Sequence, residues 1–243
     1  EYNYLIVDEA HHLESATTEA MSFRLRAPDV TRLVREIGST EQGILGQLLS
    51  VAKPLLKPSD LSTLTIAIER ATDMAFRLDN AMTAYFKALD FVLEELREGK
   101  PLGTYPQQAR ILPATRTLPC WLDVEITWEQ AKANLEALLE ALKTVREVLR
   151  ALAEADVEEA EDVLGSLASM TSNLQEIGIQ VDNLTLSPDP NQIYWVELDP
   201  LQGRLSLQVV PLQIGNLMEK YLWHQKASVV LTSATLTTHG EFE

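Results

Sequence analysis

Apolar residues along this chain follow two rhythms, and the change from one to the other marks its organisation. From Leu61 onward they recur by threes and fours, through Leu64, Ile68, Ala71, Ala75, Leu78, Met82, Tyr85, Leu89, Val92 and Leu96. The same alternation runs through Leu135, Leu138, Leu142, Val145, Leu149 and Leu152, and again through Val163, Leu167, Met170, Leu174, Ile177, Val181 and Leu184. A period of about 3.5 residues sustained this long predicts three long helices packed at shallow angles. At about 1.5 Å per residue the first would be roughly 50 Å long. Ser59 or Asp60 is placed to cap it, and Gly99 followed by Pro101 to end it. Thr127 with Gln130, and Asp156 with Glu159, have capping-box spacing before the second and third helices. Pro188 and Pro190 stop the third. Between the first two lies a connection through Pro101, Pro106, Pro113 and Pro119, and upstream Pro28–Ile37 and Gly43–Val51 read as shorter helices.

On either side of these helices the pattern is that of strands. Ile193–Leu198 and Leu205–Val210 alternate with period two and read as paired strands, joined by Asp199-Pro200-Leu201-Gln202-Gly203. Leu212–Trp223 reads as a helix, and Ser228-Val229-Val230-Leu231 as a short buried strand. At the other end, Tyr4-Leu5-Ile6-Val7 is a run of four apolar or aromatic residues, which suits a strand covered on both faces, as in a parallel sheet. The expected fold is mainly α: a long-helix bundle inserted between short α/β segments. The divisions fall at 1–26, 27–190 and 191–243.

The chain has 243 residues, of which 46% are hydrophobic, enough for a substantial core. A single cysteine, Cys120, excludes an internal disulfide or a multi-cysteine metal site within the chain and reads as a small core residue. No signal peptide and no membrane-spanning run is evident, so the expected setting is cytoplasmic, with no membrane partner. Net charge is −16, a field that repels phosphate backbones and excludes the surface as a whole as a nucleic-acid footprint. Local basic groups are the exception: Arg24, Arg26, Arg32 and Arg35 form one, and Arg110 with Arg116 another. Such groups are usually solvated helix faces. The acidic stretch Glu154, Asp156, Glu158, Glu159, Glu161 and Asp162 reads as a solvated bundle tip. A start at Glu1, almost inside a strand, reads as a piece of a longer protein.

The chemistry sits at the strand ends. Tyr4–Val7 runs into Asp8-Glu9-Ala10-His11, the form of a Walker B site, in which a strand delivers acids to a magnesium-bound nucleoside triphosphate. Ligands of open α/β sheets sit at the carboxyl ends of strands, where Asp8 and Glu9 fall. Ser228–Leu231 is likewise followed by Ser233-Ala234-Thr235, small hydroxyl residues able to hydrogen-bond a neighbouring loop. A metal site of His11, His12 and the acids is a poor alternative, because adjacent histidines on one segment tend to point apart.

Together these ends resemble helicase motifs II and III of superfamily 2, with the spacing of the XPD/DinG family of DNA helicases. Trp195-Val196-Glu197-Leu198-Asp199-Pro200 and Pro211-Leu212-Gln213-Ile214-Gly215 are similar to the bacterial DinG-like branch. The resemblance implies that the end segments belong to a RecA-like motor domain and that the bundle is the arch domain inserted between motifs II and III. It gives Asp8 the Mg²⁺ role, Glu9 the activation of the attacking water, and His11 a place between the nucleotide site and motif III. Ser233, Ala234 and Thr235 would couple hydrolysis to movement. It further implies ATP as cofactor, single-stranded DNA and the remaining motor domains as partners, 5′-3′ translocation, and a role in DNA repair or replication. Arg24, Arg26, Arg110 and Arg116 are the candidate DNA contacts. The chain departs from the family in lacking a G-x-x-x-x-G-K-[ST] phosphate loop, the second motor domain and the cysteines of an iron–sulfur cluster, which would lie upstream. The competing expectation is a helical interaction module that docks a partner through the acidic tip.

Overall fold

A computed structural model of the chain describes residues 3–101, 103–153, 158–233, 237–238 and 241–242. The three heptad segments form the long helices α4 (Pro58–Leu96), α5 (Trp121–Ala153) and α6 (Glu158–Thr185), preceded by α2 (Ala27–Ile37) and α3 (Gly43–Ala52). Each helix returns along the one before it, α5 against α4 and α6 against α5, while α2 lies on α4 and α3 on α6. The stripe residues are the core: Leu64, Ile68, Ala71, Ala75, Leu78, Met82, Tyr85, Leu89 and Val92 of α4 are buried. So are Leu135, Leu138, Leu142, Val145 and Leu149 of α5, and Leu167, Met170, Leu174, Val181 and Leu184 of α6. The side chain of Leu152 lies outside those described, as do most of the acidic tip and the Asp156–Glu159 capping pair.

Two helix starts differ from expectation. The first long helix begins at Pro58 with Lys57 as its N-cap residue, so Ser59 and Asp60 already lie inside the first turn. Proline's fixed φ and missing N–H suit that position. The second begins at Trp121, so Thr127 is interior, and its hydroxyl donates back to the Asp123 carbonyl at 2.7 Å. Trp121, Val124, Trp128 and Ala131 bury the extra turns. Aromatic spacing had concealed them from a leucine-heptad count. Between α2 and α3 the chain doubles back so closely that a Cβ on Gly38 (φ 79°) would lie 1.9 Å from the Gln42 carbonyl oxygen. Only glycine fits there.

The hairpin is present as β4 (Gln192–Asp199) and β5 (Arg204–Pro211). Asp199 builds its turn, accepting from the N–H groups of Leu201 and Gln202. It is the centre of a four-stranded antiparallel sheet ordered β2-β5-β4-β3, with edges β2 (Phe23–Arg26) and β3 (Gln107–Arg110). Neither edge was expected: Arg24 and Arg26 lie on a strand, not on a helix face, and the proline-rich connection contains β3. Leu25, Tyr194, Val196, Leu198, Leu207 and Val209 join the same core as the bundle helices. Cys120 is half-buried against that core.

The bundle is fastened to the sheet by a polar node. The Tyr85 hydroxyl lies 2.8 Å from the Thr185 hydroxyl, and the Trp121 indole N–H points to the Thr185 carbonyl at 3.4 Å. Arg116 donates twice to the Leu184 carbonyl, at 2.8 and 3.2 Å. This is the last turn of α6, where a cation complements the helix dipole. The guanidinium lies 5.4 Å from the Tyr194 ring centroid and 6.0 Å from that of Trp121. Burial lowers the pKa of Arg116 and raises that of Tyr85.

A second, two-stranded sheet pairs β1 (Tyr4–Val7) with β6 (Ser228–Leu231) in parallel. Both were expected to be buried, yet Tyr4 is 75% and Ile6 73% exposed, and Val230 and Leu231 are exposed too. A parallel pair is covered only when other layers pack on its faces; here the face of Leu5, Val7 and Val229 is half-buried, and the face of Tyr4, Ile6 and Val230 is exposed. Between the two sheets run α1 (Leu13–Met21), which lacks an apolar stripe clear enough to be read in advance, and α7 (Ile214–Tyr221). Among the described residues no helix is long and apolar enough to cross a membrane.

Candidate functional site

The parallel register aligns Val7 with Leu231, so that both strands end together and deliver Asp8 and Thr232 side by side. The residues are far apart in sequence, and the whole bundle lies between them. The junction is laced by backbone: Thr232 N–H donates to the Val7 carbonyl and Ala10 N–H to the Thr232 carbonyl, both at 2.9 Å. The Thr232 hydroxyl then donates to Asp8 Oδ1 at 2.6 Å, and the Glu9 N–H donates to the same oxygen at 2.9 Å. These two bonds, the hydroxyl first, hold the Asp8 carboxyl below the usual carboxylate range. Its other oxygen has no partner among the described residues.

Glu9 occupies the left-handed region (φ 52°, ψ 43°), uncommon for a residue with a Cβ, and starts a tight turn, Ala10–His12, that leads into α1. That turn places His11 Nδ1 2.7 Å from Ser233 Oγ and 3.2 Å from Glu9 Oε2. One histidine thus bridges the acid pair and the hydroxyl segment. His12 lies against His11, with ring centroids 3.8 Å apart and the planes tilted by 44°. Of the expected site residues, Asp8, Glu9, His11 and Ser233 are brought together, while Ala234 and Thr235 lie outside the described residues. Thr232 was not singled out in advance. Its position directly after the strand, opposite Asp8 in a parallel register, is the signal that could have found it.

The four candidate arginines do not form one surface. Arg116 is turned into the polar node at the end of α6. Arg26 donates through Nε and Nη2 to both oxygens of Asp29. Arg24 pairs with Glu197 at 2.9 Å, and Arg110 on β3 is exposed. Arg32 also leans on Asp29 and on Glu36, at 3.7 and 3.9 Å.

Among the described residues no three His, Cys, Asp or Glu side chains cluster as metal ligands. The carboxylate with a free oxygen fits the way Mg²⁺ is usually held, by one or two carboxylates with substrate phosphates and water completing the shell. In such a site the ion would neutralise charge on a phosphoryl group.

If the two bonds set the state of Asp8, Thr232→Val should move its carboxyl pKa back up toward the ordinary value of about 3.9. A group whose folded pKa is depressed stabilises the fold above its unfolded pKa and loses that effect as pH falls through the folded one. The variant should therefore lose a small stabilisation at neutral pH and feel acid less. Carboxyl NMR titration of Asp8 checks this, and an unchanged titration would show that the hydroxyl is incidental.

No protein-family model matches the chain. It is 22% identical over 242 residues to the 3'-5' exonuclease DinG of Bacillus subtilis, an alignment covering 98% of this chain and 25% of that protein. It is 23% identical over 257 residues to the ATP-dependent DNA helicase DinG of Photobacterium profundum, covering 100% of this chain and 32% of that protein. The chain thus spans between a quarter and a third of the length of these relatives. Weak in identity but extending along the whole chain, the two similarities support a relation to the DinG-like proteins.

Proposed function

We propose that this chain is the motif II to motif III segment of an ATP-dependent 5′-3′ DNA helicase of the DinG type, acting in DNA repair or replication. The observation that carries the reading is the parallel pairing of β1 with β6, because it joins two motifs separated by the entire bundle into one sheet edge. In this reading residues 27–190 are the arch, which helps enclose single-stranded DNA near the motor. Asp8 holds Mg²⁺ through its uncommitted oxygen, and Glu9 orients and deprotonates the attacking water. His11 carries the state of the nucleotide site to Ser233, and Ala234 and Thr235 continue that segment. The exposed faces of β1 and β6 are where the rest of the motor domain packs. ATP itself is cradled by a phosphate loop that this chain does not contain, and any iron–sulfur cluster comes from cysteines upstream of it.

The reading makes a paired prediction. The isolated chain should hydrolyse no ATP, whereas a longer protein that supplies the phosphate loop should do so with stimulation by single-stranded DNA. Turnover by the isolated chain that Glu9→Gln abolishes would contradict the first part. Turnover by the longer protein that is indifferent to Asp8→Asn would overturn the reading itself.

A further inference from the structure

The four-stranded sheet has two faces, and the core uses one. Leu25, Leu207, Val196 and Ala109 form a cross-strand row that faces the helices. The next row, one residue along on every strand, points the other way, because side chains alternate with period two. It reads Arg24, Gln208, Trp195, Arg110 across β2, β5, β4 and β3. At about 4.8 Å between strands the row is roughly 14 Å long, which matches about four stacked nucleotides at 3.4 Å per step.

The chemistry of this row is unlike the rest of an acidic chain. Arginines stand at both ends on the edge strands, with an aromatic ring and an amide between them. Arg110 is exposed and makes no ion pair or hydrogen bond among the described residues. The neighbouring row contains one carboxylate, Glu197, and it is neutralised: Arg24 donates to one oxygen at 2.9 Å and Gln108 to the other at 2.7 Å. Asp199, on the same face, is bound into the hairpin turn. Trp195 is half-buried on this face, and its buried indole N–H has no acceptor among the described residues. A phenylalanine would avoid that cost. Surfaces that hold single strands combine cationic groups for the backbone with aromatic rings for the bases.

From this row we infer that the outer face of the sheet is a binding platform for single-stranded DNA. Arg110 contacts a phosphate at the β3 edge, a base stacks on Trp195, and Gln208 offers hydrogen bonds beside it, while Arg24 stays paired with Glu197. The inference rests on the reading of DNA as the partner and adds where on this chain it is held. The platform is connected to the candidate nucleotide edge through α1. Strand β2 follows α1, which begins five residues beyond Asp8, and α1 packs on β5 and α7.

The test is binding of a fluorescent oligodeoxythymidylate to the 243-residue chain at about 50 and 200 mM salt. Binding at low salt is expected. Arg110→Ala should weaken it several-fold and reduce the salt slope by about one, and Trp195→Leu should weaken it about tenfold or more. Arg110 is exposed, so its variant remains informative if Trp195→Leu folds poorly. Arg146→Ala, which removes an exposed charge from α5, should have little effect. The platform is overturned if binding is insensitive to Arg110 and Trp195, if Arg146→Ala weakens it as much as Arg110→Ala, or if no binding occurs at low salt. None of these results touches the helicase reading, whose own failure is ATP turnover indifferent to Asp8→Asn.

Discussion

On the proposed helicase reading, Glu9→Gln in a longer protein that supplies the phosphate loop should cut ATP turnover by about 10²- to 10⁴-fold, the usual worth of a positioned general base, while nucleotide binding stays close to unchanged. Glutamine keeps the length and shape of the side chain and removes only its basicity. The contact of Glu9 Oε2 with His11 at 3.2 Å can be replaced by the amide oxygen, so the turn should persist. The residue also carries a strained backbone (φ 52°), of a kind that costs about 1–3 kcal/mol and persists where the surroundings impose it. Glu9→Gly should relieve that strain while removing the base, so it should raise stability and still abolish turnover. Steady-state hydrolysis with and without single-stranded DNA, alongside a thermal melt, checks both variants. Turnover within a few-fold of the unsubstituted protein would remove Glu9 from the chemistry.

The second large effect is on stability. Trp128→Ala should cost about 3–5 kcal/mol, as truncation of a buried aromatic typically does. Trp128 is fully buried on α5, with its ring centroid 5.8 Å from that of Tyr85 on α4. Its indole N–H donates to Asp182 of α6 at 3.0 Å, an oxygen that Lys132 also contacts at 2.8 Å. One side chain therefore joins all three long helices, and alanine would leave both a cavity and a weakened polar contact. Urea unfolding should show a midpoint lower by more than about 1 M, taking a slope of about 1–3 kcal/mol per M. Thr127→Ala is the companion measurement. A true N-cap would cost about 1 kcal/mol on such a change, but an interior threonine bonded back to Asp123 should be close to neutral. A large loss there would place the start of α5 later than Trp121.

The long helices were legible because their apolar residues repeat with a period that only a helix can bury. Their starts were less so. Pro58 displaced the expected Ser59 cap, and Trp121, Val124 and Trp128 extended α5 upstream of its leucines. Strands β2 and β3 carry no local signal, because they are four residues long and at least half polar, and their strand character comes from pairing with the hairpin. The same is true of the arginines. Nothing in their spacing separates Arg116, half-buried at a helix end, from Arg110, exposed on a strand six residues earlier.

The chemical types at the candidate site are a local property: a strand that ends in Asp-Glu-Ala-His and another that ends in Thr-Ser are visible wherever they occur. Their meeting is not local. It depends on a parallel register between β1 and β6, set by backbone hydrogen bonds across a separation that contains the entire bundle. Only that pairing brings the Thr232 hydroxyl onto Asp8 and His11 onto Ser233. Periodicity thus specifies which elements form, because burial of a stripe is decided residue by residue. Which strand ends become neighbours is decided by tertiary pairing, since the contacts that align them lie outside any window of sequence.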